Sequence, residues 1–270
     1  MDRYAVVGNP VAHSLSPRIH SRFAEQTGHP LRYDAVLVEH GDFVAAVERL
    51  RADGVRGLNV TVPFKQEAWA LAAQRSPRAE RAGAVNTLVL DAPEGIYGDN
   101  TDGAGLLRDL SANHGVQIEG RDVLVLGAGG AVRGVLQPLM EAKPRALTIA
   151  NRTAQRAVAL AEDFADLGPV TGVGLEALAG QRFDRVINGT AAGLGDEVPD
   201  LPAELLGEGA CCYDMMYGSE PTAFVRWARE QGAPCALDGL GMLVEQAAES
   251  FQLWRGVRPD TGPVIAELRP

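Results

Sequence analysis

The sequence predicts an α/β protein built from two domains. Short apolar runs alternate with amphipathic helical segments along all 270 residues, which is typical of this fold class. A glycine-rich turn joins one apolar run to a helix near the middle of the chain, and a turn-rich segment at 99–103 separates two halves of different character. The hydrophobic content of 46% is sufficient for two moderate cores. We therefore place one domain at 1–101 with 238–270 and the other at 102–237.

The first half contains βα units but no glycine-rich phosphate loop. Ser16 is suited to cap a helix and Pro17 to occupy its first position, so a helix is expected from there to about residue 26. The other expected elements are strands at 4–7, 31–38 and 56–60, a helix at 42–53, a helix opening at 63–65, and a hairpin of 84–90 with 95–97.

The second half begins with a helix from about 104 to 113. Strands follow near Val123, Leu147, Val170, Val186 and Cys212, then a helix at 222–231, a short strand at 235–237 and a long helix at 240–254. The long helix carries apolar residues on one face, and we expect it to pack back on the first domain; they are Leu243, Ala247, Phe251 and Trp254.

Composition excludes several classes of function. The net charge of −10 argues against nucleic acid and anionic membranes as partners. The three cysteines and five histidines show no metal-ligand spacing. Neither a secretory signal nor a run of ~20 apolar residues is found. We therefore expect a cytoplasmic protein that binds no metal.

The stretch from Asp122 to Gly134 is organised as a strand, a glycine turn and a helix. Gly127, Gly129 and Gly130 interrupt an apolar β-branched run just before a helical apolar pattern. This order is typical of a dinucleotide-binding unit, in which the backbone approaches a pyrophosphate at a helix N-terminus. Val132 occupies the place of the fingerprint's third glycine. The alternative is a tight turn in an ordinary βα unit.

The next strand, at 146–150, ends in Asn151, Arg152 and Thr153, with Arg156 close behind. Asn151 lies 24 positions after Gly127, about where an NAD-binding fold places an acidic residue on the ribose hydroxyls. Here the two arginines favour the 2′-phosphate of NADP, because guanidinium groups form charge-assisted bonds to phosphate. In the alternative, Thr153 only caps a helix and the arginines are solvated.

A nicotinamide enzyme that acts on a ketone or alcohol also needs a group that donates and accepts a proton. Without zinc or a suitably placed histidine, a lysine held by a carboxylate can take that role. Lys65 and Asp102 are candidates. Each also has a simpler interpretation, Lys65 as an exposed helix residue and Asp102 as a turn residue.

Eight segments, in this order, resemble the signature segments of the shikimate dehydrogenase family, and the similarity covers the whole chain. They are His13-Ser14-Leu15-Ser16-Pro17, Asn59-Val60-Thr61-Val62-Pro63-Phe64-Lys65, Ala82-Gly83-Ala84-Val85-Asn86-Thr87, Asp99-Asn100-Thr101-Asp102-Gly103, Gly127 to Ala131, Asn151-Arg152-Thr153, Tyr213-Asp214-Met215-Met216-Tyr217 and Asp238 to Gln246. The resemblance implies an N-terminal substrate-binding α/β domain, a Rossmann-like NADP-binding domain and a C-terminal helix that returns to the first domain.

The resemblance also implies roles for individual residues. Lys65 would be the catalytic acid and base, with Asp102 as its partner. Substrate contacts would come from both of these and from Ser14, Ser16, Thr61, Asn86, Tyr217 and Gln246. Contacts to NADP would come from Gly127, Ala128, Gly129, Gly130, Ala131, Asn151, Arg152, Thr153, Ala154, Gln155, Arg156, Met215 and Gly239.

The implied reaction is the reversible NADPH-dependent reduction of 3-dehydroshikimate to shikimate, a step towards aromatic amino acids. The expected partner is the small-molecule substrate. The protein is expected to be a monomer or a homodimer. One alternative is a quinate/shikimate dehydrogenase with broader cofactor use. The other is a non-catalytic NADP-sensing protein, which would be expected to lose Lys65 or Asp102, and both are present.

Overall fold

The computed structural model describes residues 1–190 and 198–269. This part of the chain forms two compact units, Met1–Gly105 with Val244–Leu268, and Leu106–Leu243. Helices α5 (Asp102–Arg108) and α9 (Leu240–Arg255) each run from one unit into the other. The predicted α/β class is confirmed. Among the described residues, no helix is both long and apolar enough to cross a bilayer.

The first unit contains a mixed sheet of six described strands in the order β2-β1-β3-β5-β6-β4. Strand β1 pairs in parallel with β2 and β3, while β5 runs antiparallel to β3 and β6. The strands are β1 (Asp2–Gly8), β2 (Leu31–Leu37), β3 (Val55–Val60), β4 (Gln74–Arg75), β5 (Thr87–Val89) and β6 (Tyr97–Asp99). The helices are α1 (Ser16–Thr27), α2 (Phe43–Ala52), α3 (Lys65–Leu71), α4 (Pro77–Ala82), the C-terminal part of α9, and α10 (Gly262–Leu268).

The second unit contains a parallel sheet of six described strands in the order β12-β11-β10-β7-β8-β9. The strands are β7 (Asp122–Leu126), β8 (Ala146–Asn151), β9 (Val170–Gly174), β10 (Phe183–Asn188), β11 (Leu206–Asp214) and β12 (Cys235–Leu237). The helices are α6 (Gly130–Glu141), α7 (Ala154–Asp163) and α8 (Ala223–Glu230). A single π-helical turn, Asp109–Asn113, continues α5.

Both faces of the second sheet are covered, which explains the apolar run in its central strand. Val123 and Val125 pack in one buried cluster, while Leu124 and Leu126 pack in another on the opposite side. Successive side chains of a strand point to opposite faces, so a strand with two buried faces has no polar alternation. This arrangement places the carboxyl end of β7, where Gly127 follows, at the edge of a rigid core.

Several elements differ from the sequence prediction. The structure adds the two-residue strand β4 and the short helices α4 and α10, whose patterns are too short to be recognised by periodicity. The prediction that Ser16 caps α1 is wrong. Ser16 is the first helical residue and Leu15 occupies the cap position without a side-chain bond. Instead, the Ser14 hydroxyl accepts the Ser16 backbone N–H at 3.2 Å, so the serine that ends the preceding loop satisfies this donor.

The C-terminal part of α9 packs on the first unit through an aromatic cluster. Trp254 stacks on Tyr4 with ring centroids 4.7 Å apart. His20 is fully buried and stacks on Tyr33 at 4.2 Å with an interplanar angle of 6°. Burial lowers the pKa of His20 to about 3, against a weaker opposing effect of Asn59. His20 is therefore a neutral aromatic member of this core.

We predict that His20 makes the fold acid-sensitive. An unfolded histidine takes up a proton near pH 6.5, whereas the native one does so near pH 3, so its contribution is complete above pH 6.5 and declines as the pH falls towards 3. Between pH 8 and pH 5 the contribution of His20 to the free energy of unfolding falls by about 2 kcal/mol. The free energy of unfolding of His20→Phe, measured with urea, should therefore fall by about 2 kcal/mol less between pH 8 and pH 5 than that of the original chain. The exposed His40, changed to Phe, is the control, and an unaltered pH dependence in His20→Phe would contradict the prediction.

Candidate functional site

Lys65 and Asp102 form an ion pair in the first unit. Lys65 begins α3 and Asp102 begins α5, so their side chains extend from the starts of two helices 37 residues apart in sequence. Lys65 Nζ lies 2.5 Å from Asp102 Oδ2, and the two side chains are 19% and 9% exposed. Within the described residues Nζ makes no other hydrogen bond, so two of its three protons are available to a ligand.

Asn86 fixes the other oxygen of the carboxylate. Its Nδ2 donates to Asp102 Oδ1 at 2.8 Å, and its Oδ1 accepts from the Thr101 backbone N–H at 2.9 Å. The backbone of Asn86 is itself held between two strands, because its N–H donates to Asp99 O and its carbonyl accepts from Val60 N–H. With both carboxylate oxygens occupied, Asp102 has one defined orientation towards Lys65.

The remaining predicted substrate residues of the first unit fall into two groups. Gln246, on α9, reaches the residues next to the pair, because its Oε1 lies 3.4 Å from Asn86 Nδ2 and 3.3 Å from Thr101 Oγ1. Ser14 and Ser16 follow β1, and Thr61 follows β3. These two strands are parallel neighbours with Val7 opposite Val60, so their carboxyl ends share one edge of the sheet.

Asp99 supports this arrangement although sequence reasoning assigned it no role. Arg78 donates to both of its oxygens at 2.7 and 2.6 Å, and Ser76 and the Asn100 backbone N–H also donate to it. Burial opposes ionisation, but these partners outweigh it and hold the pKa of Asp99 below its usual range. Ser76 at the same time caps α4 through Ala79 N. A charged, fixed Asp99 therefore anchors the turn that leads to Asp102.

In the second unit, the glycine turn after β7 has the shape that a phosphate site requires. Gly127 has φ +104°, and a Cβ there would lie 3.1 Å from Gly189 O. Among residues 1–190 and 198–269, nothing lies within 4 Å of a Cβ placed on Gly129 or Gly130, so these residues leave the surface above the turn open. Helix α6 starts at Gly130, and Ala128 and Ala131 flank the turn. Its first N–H groups are therefore available to an anion.

Two unpaired cations lie at the end of the neighbouring strand. Within the described ranges, the exposed guanidinium groups of Arg152 and Arg156 make neither an ion pair nor a hydrogen bond. Asn151 Nδ2 donates to Thr153 O at 3.0 Å, and the Thr153 side chain makes no cap bond to α7, whose first residues are Ala154 and Gln155. Thr153 therefore occupies the cap position of α7 without a side-chain cap bond, and both arginines are exposed where an anion could reach them.

Met215 and Gly239 lie together at the end of β11. Met215 N–H donates to Asn188 O and Gly239 N–H to Met216 O, both at 2.9 Å. A Cβ on Gly239 would lie 2.4 Å from Met215 O, so only glycine fits there. Tyr217 follows in the same segment of the second unit, is half-buried, and burial raises its pKa. No cluster of three or more metal-ligating side chains occurs in the part of the chain that the structure describes.

A parallel doubly covered sheet with an open glycine turn at a helix N-terminus defines the Rossmann-like class of dinucleotide-binding units. Three family models match the chain: "Shikimate dehydrogenase substrate binding domain" at residues 6–88, "Shikimate / quinate 5-dehydrogenase" at 109–193, and "Shikimate 5'-dehydrogenase C-terminal domain" at 239–269.

Individual relatives agree with the family models. The chain is 61% identical over 269 residues to a shikimate dehydrogenase (NADP(+)) of Alkalilimnicola ehrlichii, covering 100% of this chain and 99% of the relative. The crystal structure of an Ael1 enzyme from Pseudomonas putida has a TM-score of 0.94 at 48% identity, covering 100% and 99% of the two chains. The crystal structure of the Thermus thermophilus shikimate 5-dehydrogenase in complex with NADP(H) and shikimate has a TM-score of 0.87 at 38% identity, covering 98% of each chain.

The chain belongs to the shikimate dehydrogenase family. The predicted family, the two-domain α/β fold and the class of enzyme, an oxidoreductase acting on a CH–OH group, are confirmed.

We predict that Gly127 is required for the turn, whereas Gly130 tolerates a side chain. Gly127→Ala combines a left-handed φ with a close approach to Gly189 O and should lower the free energy of unfolding by about 1–3 kcal/mol. Gly130→Ala places a methyl group in open space at the first helical residue and should be neutral or slightly stabilising. Chemical denaturation measures both, and equal stabilities would contradict this account of the turn.

Proposed function

We propose that this chain catalyses the reversible NADPH-dependent reduction of 3-dehydroshikimate to shikimate. The observation that carries the proposal is the Lys65–Asp102 pair, with Asn86 on the second carboxylate oxygen and two protons of Lys65 available. Curated relatives that are 61%, 61% and 57% identical to the chain are named shikimate dehydrogenase (NADP(+)). A rise in absorbance at 340 nm with shikimate and NADP+ tests the reaction, and a flat trace would refute it.

NADP is the cofactor, and the second unit fits it. The open surface over Gly129 and Gly130 lets a pyrophosphate approach the backbone at the start of α6. Arg152 and Arg156 supply charge for a 2′-phosphate, and Asn151 cannot repel it as a carboxylate would. We assign the other cofactor contacts by family resemblance to Ala128, Ala131, Thr153, Ala154, Gln155, Met215 and Gly239. Gly127 shapes the turn.

Lys65 manages the proton of the reaction. NADPH, when bound, supplies the hydride for the C3 carbonyl carbon of the substrate. The ammonium of Lys65 donates a hydrogen bond and then its proton to the carbonyl oxygen as negative charge develops there. Asp102 accepts a hydrogen bond from the ammonium and holds it in place before transfer, while Asn86 holds Asp102. In the oxidation direction, neutral Lys65 accepts the proton of the shikimate hydroxyl.

The polar residues of the first unit orient the ring of the substrate. We propose that Ser14, Ser16 and Thr61 bind its carboxylate and hydroxyls at the shared edge of β1 and β3, together with Asn86 and Gln246. Tyr217 of the second unit is a further substrate contact by family resemblance. In this proposal 1–101 with 238–270 bind the substrate and 102–237 bind NADP. A cytoplasmic location and a monomeric or homodimeric state stay predictions.

The alternatives differ in ways that one assay separates. A quinate/shikimate dehydrogenase would turn over quinate and accept NAD, and one matching family model carries quinate in its description. The unpaired arginines and the absence of an acidic residue at position 151 favour NADP over NAD. Initial rates with each cofactor and each substrate distinguish the two. The intact Lys65–Asp102 pair argues against a non-catalytic sensor.

We predict that Lys65→Ala lowers kcat by roughly 10²–10⁴-fold with little effect on NADP affinity, because it removes the proton donor and leaves the second unit unchanged. Lys143→Asn removes an exposed ammonium and suits the positive φ of 56° at that position, so it is the control and should retain activity. Steady-state rates and NADP titration measure the two effects. Near-normal turnover of Lys65→Ala would show that Lys65 does not carry the proton.

We predict that Arg152→Gln and Arg156→Gln each raise the KM for NADP by about tenfold, because each removes a charge-assisted bond to the 2′-phosphate. The KM for NAD, which lacks this phosphate, should change by less than about twofold, and so should the KM for shikimate. Arg121→Gln changes an exposed arginine before β7 and is the control. Equal losses with NADP and NAD would contradict the assignment of these two residues.

A further inference from the structure

A row of buried polar side chains lies behind the Lys65–Asp102 pair, and the reaction as proposed does not use it. Tyr33 OH donates to Asn59 Oδ1 at 2.7 Å, and Asn59 Nδ2 lies 3.2 Å from Thr87 Oγ1. Thr87 Oγ1 donates to Asn86 Oδ1 at 2.9 Å, and Asn86 Nδ2 donates to Asp102 Oδ1 at 2.8 Å. We name this series of four hydrogen bonds, from Tyr33 to Asp102, the polar relay.

The phenol of Tyr33 sets the orientation of the Asn59 amide at the start of the relay. Burial raises the pKa of Tyr33 well above its usual value, so its phenol stays protonated and donates. The Asn59 oxygen accepts that proton, which leaves its NH2 group to donate towards the hydroxyls of Thr87 and Ser250, the latter at 2.9 Å. Thr87 Oγ1 donates to Asn86 Oδ1 and also lies 2.7 Å from Ser250 Oγ, which can itself donate to Thr87.

The orientation of the Asn86 amide is the point at which the relay meets the site. Its Oδ1 accepts from Thr87 and from the Thr101 backbone N–H, so its NH2 group faces Asp102. The reversed amide would place an oxygen against the carboxylate of Asp102 and leave the hydroxyl of Thr87 facing an NH2 group. Both changes are unfavourable in a buried site, where an unpaired polar group costs about 1–3 kcal/mol.

We propose that Tyr33, Asn59 and Thr87 are positioning residues, which set the orientation of the Asn86 amide and through it the pairing of Asp102 with Lys65. All three residues are buried, with exposures of 7%, 6% and 0%, and the hydrogen bonds of the relay connect them to Asn86. This inference rests on the proposed function, in which Lys65, Asp102 and Asn86 form the substrate site.

The test compares two tyrosines that lie opposite each other on β1 and β2. Tyr33→Phe removes the first donor of the relay, whereas Tyr4→Phe removes a buried hydroxyl that bonds to Arg255 instead. Thr87→Val removes the central hydroxyl, and Thr87→Ser restores it. We expect Tyr33→Phe and Thr87→Val to lower kcat/KM for shikimate by about five- to tenfold, with a KM for NADP within twofold of the original.

The double variant separates a relay from two independent effects. In the relay, the effect of Tyr33 reaches the Asn86 side chain through Thr87, so Tyr33→Phe should cause less than about a twofold further loss in the Thr87→Val background, and Thr87→Ser should stay within about threefold of the original. Multiplicative losses in the double variant would overturn the proposal. So would losses in Tyr33→Phe that Tyr4→Phe reproduces.

A second measurement does not depend on turnover. The side-chain 15N–1H2 resonances of Asn86 in the free protein should move in Tyr33→Phe and Thr87→Val but not in Tyr4→Phe. If they do not move, the relay is wrong whatever the activity. If they move while the original chain fails to oxidise shikimate, the relay stands as a property of the fold and the proposed function is refuted.

Discussion

The close pairing of a partly buried lysine with a partly buried aspartate is the constraint on which the first unit depends. Removing two charges from water is unfavourable unless the two groups pair closely and their remaining donors and acceptors are hydrogen-bonded. Here Lys65 takes one oxygen of Asp102 and Asn86 takes the other. Three chain segments must therefore meet within hydrogen-bonding distance, which requires the ends of β3 and β6 and the start of β5 to be held rigidly.

The sheet and its charged anchors provide that rigidity. The strand β5 runs antiparallel between β3 and β6, and Asn86 exchanges backbone hydrogen bonds with both neighbours just before β5 begins. Arg78 and Ser76 fix Asp99 at the end of β6, three residues before Asp102. The second unit meets a different constraint, because there the backbone itself must be exposed, and Gly127 with its positive φ makes the turn that allows this.

Local patterns predict the parts of this structure that repeat and miss those that depend on distant residues. The two-face burial of Val123 to Leu126 and the glycine turn follow from short-range periodicity and residue type. Nothing local connects Lys65 with Asp102, which are 37 residues apart, and only the ordered family resemblance brought them together. Thr87 and Asn59 stand inside the resembling segments, yet their polarity became informative only when the structure showed them buried without solvent.

The return of α9 to the first unit follows from the same hydrogen bonds. Gln246, Ser250 and Trp254 are spaced four residues apart, so they form one stripe on the helix. They meet three consecutive residues in and before β5, since Gln246 contacts Asn86, Ser250 contacts Thr87, and Trp254 Nε1 donates to Leu88 O at 3.0 Å.

This stripe fixes the position of the helix along the strand by polar contacts. The glycine at position 57 completes the fit, because a Cβ there would lie 2.5 Å from Trp254 Nε1. A segment nearly at the end of the chain thus supplies Gln246 to the site and Ser250 to the hydroxyls behind it. The first unit is therefore built from two segments, Met1–Gly105 and Val244–Leu268, which lie on either side of the second unit in the sequence.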